Sequence, residues 1–153
     1  MIQLISTQLK GIFFSFLVPE SKKTVFQKFI SGKIINSVVD SNKKQELIEW
    51  KQKIAKSIFD PLNGILSSNE HYAISLSMQF APKLHGNAKL DVENYVKPIV
   101  DGIAAGLFCP KDQDPLQIIK FNYDDSNFNK LFIERLNDCE SKDEGIIISI
   151  SIL

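Results

Sequence analysis

Two groups of acidic residues are the part of this sequence whose types and spacing could do chemistry. Asp91 and Glu93 form the first group, and Asp112 and Asp114 form the second. Carboxylates held close together repel one another unless a cation lies between them. Mg²⁺ prefers such hard oxygen ligands, and it can activate a bound water and neutralise charge on a phosphodiester. If the two groups converge in the fold, they predict a magnesium site, with Mn²⁺ as an alternative ion, that hydrolyses a phosphodiester bond.

The residues that follow Asp91 place further polar groups on one face of a predicted helix. Asn94, Lys97 and Asp101 recur at helical spacing, opposite the apolar face. Lys97 lies about one turn from the first acidic group and could contact a phosphate as a point charge. Ordinary roles compete with this interpretation, because acids are common as helix caps and in turns before strands. Spacing alone leaves the first acidic group undecided between the two roles and favours the structural role for the second.

Two helices that could position these residues are predicted from apolar side chains at helical spacing. One runs from about Val92 to Leu107, and Pro98 within it should shorten or kink its first turns. The other is capped by Asp40 or Ser41 and runs to about Phe59.

Apolar runs and alternation predict the strands of a sheet. Ile12–Val18 is apolar almost throughout, which predicts a first and central strand, and residues 19–33 then predict a polar connection. His71–Phe80 alternates between apolar and polar residues, which predicts a half-exposed strand. The remaining segments are a strand at Leu116–Tyr123, a last strand at Ile146–Leu153, and Asn127–Leu136, which fits either a strand or a helix. Since strands and helices alternate, we expect one α/β domain over residues 1–153, a mixed sheet flanked by two or three helices.

The distribution of charged residues and the two cysteines indicate which partners and which compartment to expect for this chain. The net charge is zero, but residues 1–60 hold ten lysines against five acids, so the chain joins a basic half to an acidic half. Phosphate binding needs such basic surface. No apolar run is long enough to predict a membrane helix, and Cys109 and Cys139 fit reduced thiols in a cytoplasmic protein.

The segment from Asp91 to Asp112 resembles the RusA family of Holliday junction resolvases. The family's hallmark is Asp-x-Asp-Asn, followed by Lys, then Asp, then a paired acidic motif. The residues of this chain that match it, with Glu93 in place of the second Asp, are Asp91, Glu93, Asn94, Lys97, Asp101 and Asp112. The match extends from about Phe80 to Lys120. The paired motif reads Lys111-Asp112-Gln113-Asp114 here, so Asp112 and Asp114 both stay candidates for the later ligand.

The resemblance implies a small homodimeric, Mg²⁺-dependent endonuclease that nicks four-way DNA junctions. It implies that Asp91, Glu93 and Asp112 bind the metal and that Lys97 contacts phosphate, while Asp101 and Asn94 support the site. Basic residues that could bind the branched DNA are Lys22, Lys23, Lys28 and Lys33, followed by Lys83, His85 and Lys89. Two alternatives stay open: a nuclease acting on flaps, RNA or linear duplex, and an inactive module of the same fold that binds DNA or a partner.

Overall fold

The computed structural model describes residues 2–9, 12–19, 23–38, 43–63, 70–86, 90–109, 114 and 127–153, the first two ranges through their backbone alone. The strands are β1 (Ile2–Leu9), β2 (Ile12–Pro19), β3 (Lys23–Ser31), β4 (Tyr72–Gln79), β5 (Phe128–Arg135) and β6 (Gly145–Ile152). The helices are α1 (Lys44–Leu62) and α2 (Glu93–Phe108), and short 3₁₀ turns occupy Pro82–His85 and Ser141–Asp143. None of the helices described in these ranges is long and apolar enough to cross a membrane.

A four-stranded mixed sheet organises the described structure, in the order β3-β6-β4-β5. Strand β6 is antiparallel to both of its neighbours, whereas β4 and β5 are parallel. A parallel pair requires a long crossover connection, and α2 lies in the one that joins β4 to β5. The predicted α/β fold with a mixed sheet and two helices is therefore confirmed.

The inner strands β4 and β6 are more deeply buried than alternation predicts. Every residue of β4 is buried, so the prediction of a half-exposed strand was wrong. Its polar residues are accommodated by hydrogen bonds: the Ser77 hydroxyl donates to the Glu134 carboxylate, and the Gln79 amide donates to the Asp143 carbonyl. These bonds offset the desolvation of the polar face.

The N-terminal strands differ most from the sequence-based expectation. The strand predicted at Ile12–Val18 exists as β2, but it is the second strand and pairs with β1 in a separate two-stranded antiparallel sheet, so it is not central. The polar connection predicted at residues 19–33 contains strand β3, which was not predicted. Phe26 and Ile30 of β3 are buried in the hydrophobic core, while Lys23 and Lys28 of the same strand are exposed.

Both predicted helices are confirmed, with small shifts at their ends. In α1, Trp50, Ile54 and Ile58 form the buried face, and the helix ends at Asn63 in the left-handed conformation. The predicted cap residues Asp40 and Ser41 lie outside the described residues, and the N-cap of α1 is instead Lys43, without a side-chain cap bond.

Pro98 does not shorten α2, which begins at Glu93 and continues to Phe108. Proline has no backbone N–H, so the carbonyl four residues earlier, that of Asn94, loses its helical donor. The backbone N–H of Ser37 donates to this carbonyl at 2.8 Å. The proline therefore leaves the Asn94 carbonyl free to accept a hydrogen bond from the connection between β3 and α1.

The segment Asn127–Leu136, which fitted either a strand or a helix, contains strand β5 at the edge of the sheet. The predicted last strand is confirmed as β6. The strand predicted at Leu116–Tyr123 lies outside the described residues.

The two cysteines are free thiols of low expected reactivity. Burial raises the pKa of the Cys109 thiol, with a smaller contribution from the charge of Asp114, and Cys109 is only 1% exposed. Burial also raises the pKa of the half-buried Cys139 thiol. The thiolate is the nucleophile, so a raised pKa lowers the reactive fraction at neutral pH.

We expect a thiol-disulfide reagent to modify Cys139 slowly in the native protein and Cys109 only after unfolding. The rates are measured at neutral pH with Cys109→Ser and Cys139→Ser as reciprocal variants. Fast native labelling of the Cys139→Ser variant, which retains Cys109, would contradict the burial of that thiol.

Candidate functional site

The start of α2 presents two acidic side chains to solvent. Asp91 and Glu93 are both exposed, and the backbone N–H of Glu93 donates to Asp91 Oδ1 at 3.2 Å. The Asp91 carbonyl accepts the N–H of Asn94 at 3.2 Å. The N-cap of α2 is Val92, without a side-chain cap bond, so Asp91 is not the N-cap that its position predicted. Its carboxylate instead forms a local bond with the N–H of Glu93, which uses Oδ1 and not Oδ2.

Further along α2, the predicted pair Lys97 and Asp101 forms an ion pair. Lys97 Nζ lies 2.7 Å from Asp101 Oδ1, and Lys51 Nζ of α1 approaches Asp101 Oδ2 at 3.3 Å. Asp101 is therefore bound on both oxygens by lysines from two helices. Its contacts suit the supporting role predicted for it, since they hold the Lys97 side chain along the helix surface.

A cleft of about 510 Å³ lies beside the start of α2. We call it the α2 cleft. Its described lining comes from the β3–α1 connection, the start of α1, the turn after β4 and the start of α2. The lining residues are Lys33, Ile34, Ile35, Asn36, Val38, Lys43, Glu46, Leu84, His85, Gly86, Leu90, Asp91, Asn94 and Tyr95. Asp91 and Asn94, both predicted site residues, thus face a cavity of ligand size.

A buried carboxylate, Glu144, joins two walls of the α2 cleft. Its side chain is 0% exposed. Oε2 accepts the backbone N–H of Ile34 at 2.7 Å, and Oε1 accepts that of Ala81 at 2.6 Å. His85 Nε2 lies 2.9 Å from both oxygens. Since an ionised carboxylate only accepts, this contact requires a hydrogen on Nε2.

Aromatic packing supports His85 and Tyr95, two residues that line the cleft. The rings of Phe80, His85 and Tyr95 meet edge to face, with centroids 5.0–5.7 Å apart. Burial raises the pKa of the Tyr95 phenol, and a side-chain hydrogen bond with Asn36 partly opposes the shift. The Asn36 contact adds a second link between the β3–α1 connection and α2, beside the bond from Ser37.

The second predicted acidic group is only partly within the described structure. Asp112 lies outside it, whereas Asp114 is exposed. Within the described ranges, no three His, Cys, Asp or Glu side chains are grouped so that they could hold a metal. Asp91, Glu93 and Asp114 therefore do not form such a group, and the convergence of the two acidic groups stays a prediction for Asp112.

The predicted DNA-binding residues are spread over several elements. Lys23 and Lys28 are exposed on β3 and not in a flexible loop, and Lys83 is exposed in the turn after β4. The His85 side chain is only 6% exposed and is bound to Glu144, so a DNA contact would require this arrangement to open. Lys22 and Lys89 lie outside the described residues.

Sequence reasoning missed Lys43, Asn36 and Glu144. Glu144 directly precedes the apolar run of β6, where an acid normally indicates a turn, so no local signal marked it as buried. Lys43 and Asn36 lie between predicted elements, and only the fold brings them beside Asp91.

Comparisons with protein-family models, with curated proteins and with solved structures find no match for this chain. Its function must therefore be inferred from its own residues.

Proposed function

We propose that this chain is a Mg²⁺-dependent endonuclease that nicks branched DNA, four-way junctions above all. The observation that carries the proposal is the pair of exposed carboxylates at the start of α2, Asp91 and Glu93, of which Asp91 lines a cleft that also carries lysines. The sequence resemblance to RusA resolvases supports the same reaction. It implies that water attacks phosphorus and that the 3′ oxygen leaves.

The donor set at this position fits Mg²⁺. Asp91 and Glu93 supply hard oxygen ligands that are accessible to solvent, and Asp112, which lies outside the described ranges, would complete the set. When bound, the ion supplies water activation and charge neutralisation at the phosphate. The bond from the Glu93 N–H orients the Asp91 carboxylate before any ion arrives, which limits the reorganisation that binding requires.

Lys97 would bind the phosphate, with Asp101 as its positioning partner. The lysine side chain is 67% exposed, so it can reach a substrate, while Asp101 is half-buried and paired with both Lys97 and Lys51. A homodimer follows from the substrate, because paired incisions across a four-way junction match a twofold protein.

Cleavage of a labelled four-way junction, beside a linear duplex of matching sequence, tests the proposal. We expect paired nicks in the junction alone, only with Mg²⁺ or Mn²⁺, and their loss in Asp91→Asn. The amide keeps the size of the side chain and an oxygen that can accept the Glu93 N–H, but it removes the charge that a metal requires. Asp60→Asn is the matched control, since Asp60 is an exposed acid of α1 outside the cleft lining.

Each other outcome assigns a different function. Cutting of both substrates would retain the nuclease and remove its junction selectivity. Junction binding with no cutting in either metal would identify a binding module without activity. Equal cutting by wild type and Asp91→Asn would remove the metal site from the start of α2.

A further inference from the structure

The α2 cleft is a built cavity, whose walls are held by buried and backbone hydrogen bonds. Glu144 ties Ile34 on one wall to His85 on the other, and it also binds the N–H of Ala81, just before the turn that carries His85. The Ser37 N–H bond to the Asn94 carbonyl ties the same first wall to α2. Such fixed walls are typical of preformed ligand sites, since little ordering remains to be done on binding.

Two lysines of the cleft stand out by their lack of acidic partners. Lys33 and Lys43 are both exposed, and across the described ranges neither forms an ion pair. The same cleft is also lined by the apolar side chains of Val38, Leu84 and Leu90. Cations next to an apolar surface, in a cavity of about 510 Å³, suit a phosphate joined to a flat, partly apolar base.

From this arrangement we infer that the α2 cleft binds one unpaired nucleotide of the DNA strand, with phosphate on Lys33 and Lys43 and the base against the apolar lining. The inference rests on the proposed function, which places the reacting phosphodiester at Asp91 in the same cleft. It adds a subsite that would favour branch points, where unpaired nucleotides are available, over continuous duplex.

The acids of the cleft make this binding dependent on a divalent cation. Glu46 and Asp91 balance the two lysines in the described lining, so the empty cleft has little net attraction for a phosphate. A divalent ion at Asp91 would shift this balance to positive. We therefore expect tighter binding of single-stranded DNA with Ca²⁺ than with a chelator.

The test measures the equilibrium binding of a fluorescently labelled oligothymidylate in Ca²⁺, by fluorescence anisotropy. The oligomer has about twelve nucleotides, which is within the usual range of site sizes for proteins that bind single strands. We expect the double variant Lys33→Gln/Lys43→Gln to bind roughly tenfold more weakly, and the slope of log affinity against log salt to fall by about 1.4, the value for two lost phosphate contacts. Lys44→Gln/Lys56→Gln removes the same charge from exposed positions of α1 that do not line the cleft, and it should bind nearly as wild type. An abasic oligomer of equal length should bind more weakly than oligothymidylate.

Several results would overturn the inference: no binding by wild type, equal loss in both double variants, or equal affinity for the abasic oligomer. The junction cleavage assay keeps this failure distinct from failure of the proposed function. Cleavage by Lys33→Gln/Lys43→Gln at the wild-type rate, with unchanged oligomer binding, would remove the subsite and retain the nuclease. If the wild-type protein binds the oligomer but cuts no DNA, and the double variant loses that binding, the nucleotide subsite would stand and the proposed nuclease activity would not.

Discussion

Replacing Glu144 with alanine is expected to lower the free energy of unfolding by about 4 kcal/mol. The truncation leaves the backbone N–H groups of Ile34 and Ala81, and His85 Nε2, without their acceptor in a site from which water is excluded. Each such group costs about 1–3 kcal/mol when it is buried without a partner. Urea unfolding measures the change, and the fluorescence of Trp50, the single tryptophan and a buried residue, reports it.

Two further variants make the Glu144 prediction specific. Glu140→Ala removes an exposed acid from the same connection and should change stability by less than about 0.5 kcal/mol. Glu144→Gln keeps the volume but has one accepting oxygen instead of two, so its stability should lie between those of wild type and Glu144→Ala. A loss below about 1 kcal/mol in Glu144→Ala would show that the buried bonds contribute little net stability.

Gly106→Ala is expected to destabilise the protein by roughly 2–3 kcal/mol, although alanine is the better helix former. A Cβ at this position would overlap the carbonyl oxygen of Ala55 and lie 3.0 Å from its Cα. Because these are backbone atoms, α1 cannot yield by changing a rotamer, and the two helices must separate. The packing loss then exceeds the gain in helix propensity, which is about 1 kcal/mol.

Glycines elsewhere provide the comparison for Gly106. At Gly102 an added Cβ would meet the Ile54 side chain at 2.9 Å and the Lys51 carbonyl at 3.0 Å, so Gly102→Ala should be destabilising but less so. At Gly86 it would meet nothing within 4 Å, and only the positive φ of 64° opposes alanine, a cost of about 1 kcal/mol. Thermal or urea unfolding should rank the losses with Gly106→Ala largest. A Gly106→Ala protein as stable as wild type would contradict the close helix contact.

Local patterns were sufficient for the helices and the last strand. The buried faces of α1 and α2 repeat at three and four residues, and this period is a property of neighbouring positions. The same reasoning placed Asp91 just before α2 and Asn94, Lys97 and Asp101 along its length, because a helix determines the relative placement of residues one or two turns apart.

Burial and pairing depended on contacts between distant residues. Strand β4 alternates like a surface strand, yet both of its faces are covered, and its polar side chains find partners more than fifty residues away along the chain. Strand β3 is rich in lysine and resembles a loop until β6 pairs with it. Neither outcome can be read from a short window, because the covering element lies elsewhere in the sequence.

For the candidate site too, some features could be predicted from local sequence and others depended on contacts between distant residues. The sequence by itself determined which residues could do chemistry at the start of α2, since type and helical spacing are local. Only the tertiary structure decided that Lys33 and Lys43 share a cleft with Asp91, and that Glu144 holds its walls at 110 residues from Ile34. The physical reason is that a buried carboxylate is stable only where several donors from separate segments converge, and that convergence is a property of the fold.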